Sequence, residues 1–128
     1  MKFYSSVILS IFFAFLSQVS YAQEKVTWKE MYDFHDVMSL TFHSAEAGKL
    51  QPLREKADLL LEKAKAWKAS AAPQGYNPAK TANTLKRLVK QCKAIKKAVK
   101  AKKSDAELTA MITTAHDIFH EIMEKCRD

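Results

Sequence analysis

Apolar positions recur at helical spacing in four separated stretches of the chain, and polar residues fill the positions between them. In the first stretch the stripe is Met31, Phe34, Met38, Phe42 and Ala45, closed by Gly48. Thr27-Trp28-Lys29-Glu30 reads as a capping box at its start, with Val26 and Met31 as a hydrophobic staple. Pro52 suits a first helical position, and Leu53, Ala57, Leu60, Ala64, Trp67 and Ala71 then alternate steps of four and three. Ala72 to Tyr76 breaks this second helix. Asn77-Pro78 caps a third, which buries Leu85, Leu88, Val89, Cys92, Ile95 and Val99. Ser104-Asp105-Ala106-Glu107 is another capping box, and the fourth helix turns Leu108, Met111, Ile112, Ala115, Phe119, Ile122 and Cys126 inward. Four amphipathic helices with short connections predict an all-α, antiparallel up-down-up-down four-helix bundle.

The first residues follow another pattern. Lys2, an apolar run from Val7 to Leu16, and small residues at Ser20 and Ala22 match a secretory signal peptide. Residues 1–22 are therefore set apart from the fold, and 23–128 form a single domain, periplasmic or secreted. The run is shorter than the ~20 apolar residues of a membrane span, and no later segment approaches that length.

The formal net charge is +7, and the excess is local. No acidic residue lies between Lys63 and Ser104. Lys80, Lys86, Arg87, Lys90, Lys93, Lys96, Lys97, Lys100, Lys102 and Lys103 line the third helix and its end. Such a face is solvated, or it docks an acidic redox or interaction partner. Nucleic acid is not expected of an exported chain whose basic run lacks interleaved aromatics. Two cysteines in an oxidising compartment would ordinarily pair. Here a turn near Lys103–Ser104 sets Cys92 level with residue 116, ~15 Å short of Cys126 at the helical rise, so both are expected to be unbridged.

Candidate chemistry rests on the 4 histidines. His116 and His120 are one turn apart on the last helix, and His35 and His43 lie on the first. With those helices antiparallel, Val37 falls level with His116, and His35 falls between His116 and His120. At ~100° per residue, His35 lies about 50°, His116 about 70° and His120 about 110° from the centre of its own stripe. The displacement has the same rotational sense, so a shared seam is allowed. His43 is two turns further along and is the outlying candidate. His35, His116, His120 and His43, with Met38 or Met123 as thioether donors or a carboxylate such as Glu124, make a nitrogen and sulfur set suited to copper, zinc or nickel. Trp28, Met31, Trp67, Met123 and Cys126 gather at one end, where a flat organic cofactor could enter. No glycine-rich phosphate loop, HExxH or nucleophile elbow is present, so an enzyme is not expected.

A methionine early in the first helix, Met31, and a histidine late in the last, His120, with Thr113-Thr114 and Phe119 before it, resemble the cytochrome b562 and cytochrome c-prime superfamily of exported four-helix bundles. That resemblance implies non-covalent haem b held by His120 or His116 on one side and Met31 or His35 on the other, serving electron transfer. C-x-x-C-H is absent, so covalent attachment is excluded. The reading is a metal centre between the first and last helices, most specifically a b-type haem for electron transfer; the alternatives are a bare transition-metal binder or sensor and a metal-free interaction module using the lysine face. Oligomeric state is not legible from the pattern.

Overall fold

In the computed structural model, residues 27–128 are described. The segment read as a signal peptide lies outside the described residues, as does Val26 of the proposed staple. Four helices follow one another: α1 (Lys29–Glu46), α2 (Gln51–Ala69), α3 (Pro78–Lys100) and α4 (Asp105–Lys125). Among the described residues there is no strand, only one isolated antiparallel bridge between Tyr76 and Arg127. None of these helices is long and apolar enough to cross a membrane. Each helix packs on the next, and α1 also packs on α4, so the four close into a ring around one core.

The helix ends show how closely sequence governs local structure. Asn77 accepts from the Lys80 backbone N–H at 3.0 Å and Ser104 from that of Glu107 at 3.2 Å, the side-chain caps expected of them. Gly48, at φ 78°, ends α1 with paired hydrogen bonds from its own N–H to Ala45 O and from Lys49 N–H to Ser44 O. Lys102 does the same for α3 at φ 54°, donating to Val99 O while Lys103 donates to Ala98 O. A lysine therefore occupies a left-handed position that favours glycine. Arg54, at the start of α2, braces this turn by donating to Lys103 O at 3.0 Å and Asp105 Oδ1 at 2.8 Å.

Two helix-end expectations are corrected. The capping box on Thr27 does not form: the N-cap is Trp28, and no side chain caps α1. Its indole is buried, lies edge-on to Trp67 with centroids 5.6 Å apart, and donates to Ser70 Oγ at 2.8 Å. Burying that ring outweighs one capping hydrogen bond and starts the helix a residue later. Ala71, placed inward on α2, is exposed because the helix stops at Ala69. Val99 is half-buried rather than buried.

Met111, placed inward on α4, is likewise half-buried, and the other stripe positions are buried, joined by Val37, Leu61, Ala98 and Ile118. At the end holding Trp28, rings pack edge-on or tilted in series: Trp28 against Tyr76 at 5.1 Å, Phe34 against Trp67 at 5.4 Å, and Trp67 against Phe119 at 5.7 Å. Tyr76 makes the loop before α3 part of this core. Its neighbour Asn77 donates its backbone N–H to Cys126 O at 2.7 Å, and Asp128 N–H donates to Gly75 O at 2.9 Å. The Arg127 guanidinium lies 5.1 Å from the Tyr76 ring centroid. The C-terminus is thereby latched to the α2–α3 loop.

Both cysteines are free and buried, as their spacing predicted. Cys126 Sγ lies 3.5 Å from Thr84 Oγ1, on α3 but two turns before Cys92.

Candidate metal site at the seam of α1 and α4

Side-chain pairs across the seam fix its register. Phe34 lies against Phe119, centroids 6.0 Å apart, and His35 against the same ring at 5.3 Å. Eight residues along α1 from Phe34, Phe42 lies against His116 at 3.9 Å. Rising along α1 therefore descends α4. His116 reaches toward the C-terminal end of α1 because helical side chains lean toward their own N-terminus. Its level is thus Phe42, about a turn beyond the Val37 level that residue counting gave.

This displacement divides the four histidines. His116 and His120 come together, Nε2 to Nε2, at 3.1 Å. His35 and His120 instead flank the Phe119 ring, with the His120 centroid 5.6 Å from it. His43 packs beside Phe42 at 5.4 Å, at the His116 end. The expected trio at one height is therefore a pair with one histidine on either side.

Beside its other nitrogen, Nδ1, each imidazole of the pair has a carboxylate: Glu124 Oε1 at 3.5 Å from His120 and Asp117 Oδ1 at 3.9 Å from His116. At these distances neither carboxylate is hydrogen-bonded to its ring, and each acts on the proton at Nδ1 only electrostatically. At 3.1 Å the two Nε2 atoms are at hydrogen-bond distance, one donating to the other according to tautomer, and a cation would take the place of that shared proton. A transition-metal ion about 2.0–2.1 Å from each nitrogen would subtend roughly 100° there, a normal angle in four- to six-coordinate sites. The His116 pKa is lowered from its usual value, first by burial and then by the neighbouring His120. Neutral imidazole is the form that binds metal.

On the other side of His120 a cleft of about 460 Å³ opens along the seam, lined by Met31, Tyr32, His35, Phe119, His120, Met123 and Glu124. Met31, His35 and His120, three of the residues implied by the haem resemblance, therefore share one cleft. Met31 itself is only 3% exposed, and its sulfur takes the Tyr76 hydroxyl at 4.0 Å. Met38 is 1% exposed and belongs to the core. Met123 is at the cleft wall. Among the described residues, no group of three or more His, Cys, Asp or Glu side chains is placed so as to hold a metal ion.

The signal missed in the sequence is Phe42. A core-stripe aromatic gives no hint that it will pack flat against a flank histidine and so decide which way that histidine points. Trp67 is also unforeseen in one respect: it is fully buried, and its Nε1–H is a buried donor without a partner among the described residues.

Compared with protein families, with characterised proteins and with solved structures, the chain gives no significant match.

Proposed function

We propose that this is an exported four-helix-bundle protein that binds a divalent transition-metal ion at the seam of α1 and α4, through His116 and His120. The observation that carries this is the 3.1 Å approach of the two Nε2 atoms, with a carboxylate beside each Nδ1. The reading takes residues 1–22 as a signal peptide and the helices as running up-down-up-down. The opposed order of the Phe34–Phe119 and Phe42–His116 pairs supports that topology. The role is binding or sensing rather than turnover. His120 is exposed, so a bound ion keeps water-accessible positions and exchanges readily.

The test is titration of Zn²⁺, Cu²⁺ and Ni²⁺ into the purified protein and into the His116→Ala/His120→Ala variant, with helicity followed by circular dichroism. The variant should stay helical and lose uptake. Equal uptake by variant and parent would refute the site.

A second reading keeps the cytochrome resemblance, on the observation that Met31, His35 and His120 line one cleft. Several features argue against haem. The Met31 sulfur is buried against Tyr76, the interior at this end is filled by Phe34, Trp67 and Phe119, and the His120 Nε2 faces His116. An optical spectrum with elemental analysis of protein from its native compartment separates the two: a Soret band with iron favours haem, and zinc, copper or nickel without one favours the histidine pair. On either reading, the exposed lysines of α3 would dock an acidic partner.

A further inference from the structure

We propose that Glu46, held by His43, supplies the third ligand to the His116–His120 site, so that one cation ties the last turn of α1 to α4. This inference rests on the metal reading above and extends it across the seam. His116 lies flat on Phe42, which puts the pair of imidazoles beside the C-terminal turn of α1. Glu46 is one turn beyond Phe42 on the same face of that helix. Because helical side chains lean toward the N-terminus, its carboxylate covers the Phe42–His43 level, which is the His116 level. The His43 ring, 5.4 Å from that of Phe42, holds the Glu46 carboxylate at 3.1 Å, so the carboxylate stands beside the Phe42–His116 stack. His35, by contrast, is eight residues before His43 on α1, about 12 Å at the helical rise, and faces the cleft instead.

Glu46 is also oriented in the way ligating carboxylates are. His43 Nδ1 stands 3.1 Å from Glu46 Oε2, so a proton on Nδ1 occupies one carboxylate oxygen and leaves Oε1 free. His43 is thus a positioning residue and not a ligand. The Glu46 side chain is 52% exposed and can rotate to close the site without disturbing the core. Two imidazoles and one carboxylate, with the remaining positions open to water, make a set of nitrogen and oxygen donors. It fits a borderline divalent ion such as Zn²⁺ and lacks the thiolate or thioether that would select monovalent copper.

Zn²⁺ binding is measured by calorimetry on the parent protein and on Glu46→Gln, His43→Ala, His43→Gln and the control Asp36→Asn. Asp36 is an exposed carboxylate elsewhere on α1, so its neutralisation reports the general effect of charge. Glu46→Gln should weaken Zn²⁺ binding about 10- to 100-fold, and His43→Ala about tenfold. His43→Gln, which keeps a donor for Glu46, should recover most of the loss, and Asp36→Asn should bind like the parent. The metal-free melting temperature should be the same throughout. Glu46→Gln binding as tightly as the parent, or no more weakly than Asp36→Asn, overturns the inference. If His116→Ala/His120→Ala has meanwhile abolished uptake, the metal reading survives and only the third ligand is lost. A parent protein that takes up no Zn²⁺ overturns both.

Discussion

The His116 imidazole lies on the phenyl ring of Phe42 with centroids 3.9 Å apart and planes 12° apart. A core residue of one helix thereby sets the rotamer of a flank residue on another. In this stacked arrangement the Nε2 edge of the imidazole is turned toward His120. Preorganisation of this kind lowers the entropy lost when an ion binds.

Phe42→Leu therefore tests whether the stack prepares the site. The substitution keeps an apolar side chain at a position only 7% exposed but removes the flat surface. Loss of the aromatic contact and of some volume should cost about 1–2 kcal/mol of stability by chemical denaturation. Metal affinity should fall several-fold under conditions where the variant is fully folded. Unchanged affinity would mean that His120 and the carboxylates alone hold the geometry.

His116 also gives stability a pH dependence of definite sign. Its folded-state pKa lies below the usual 6.5, because burial and His120, with a smaller effect from His43, disfavour the imidazolium more than Asp117 and Glu46 favour it. Above that value both folded and unfolded chains hold it neutral. As pH falls through 6.5, the unfolded chain takes up the proton first, so stability declines until the folded-state pKa is passed. In metal-free protein, a melting-temperature profile over this window should slope upward with pH, and His116→Phe, which keeps a ring on Phe42, should flatten it. A downward slope in the same window, absent from the variant, would reverse the assignment.

The fold was legible because burial, periodicity and end chemistry agreed. Asn77 and Ser104 cap as their residue types dictate, and Gly48 turns left-handed where an α1 stop was needed. What was not legible depends on volumes that meet only in three dimensions. Trp28 overrides a capping box because its indole finds Trp67 and Ser70, 39 and 42 residues away. The candidate site was half visible. The one-turn spacing of His116 and His120 holds in any helix, whereas their level relative to α1 depends on the lean of side chains, which residue counting ignores. His35 and His43 exchange importance for that reason.

Lys102 offers a substitution that should stabilise. A side chain at φ 54° costs about 1–2 kcal/mol, which glycine avoids while losing part of the gain to its greater freedom in the unfolded chain. Lys102→Gly should raise stability by about 0.5–1 kcal/mol, and Lys102→Val, branched at Cβ, should lower it. Denaturant midpoints at constant slope are the readout. A neutral glycine variant would show that Lys102 makes compensating contacts.

The thiols report on the same core. Burial pushes the Cys92 thiol up to about 12, so almost none is thiolate near neutral pH. In the native protein Cys92 should resist alkylation and react only as fast as the chain unfolds. In denaturant without reductant the monomer should yield two free thiols. One intact bond instead would require α3 and α4 to slide so that Cys92 meets Cys126.

Ser70 makes the sharpest test of how α1 begins. Its hydroxyl accepts from the Trp28 indole N–H at 2.8 Å and donates to Trp67 O at 2.6 Å, so one small side chain joins the start of α1 to the end of α2. Ser70→Ala deletes both bonds and strands a buried indole donor, because Trp28 is only 3% exposed. That loss should cost about 1–3 kcal/mol. Trp28→Phe removes the donor and keeps an edge-on ring over Trp67, so Ser70→Ala made in that background should cost distinctly less. The double-mutant cycle isolates the hydrogen bond from the packing. Additive losses across the cycle would show that the indole is held by the Trp67 and Tyr76 rings alone, and that the hydroxyl serves only to end α2.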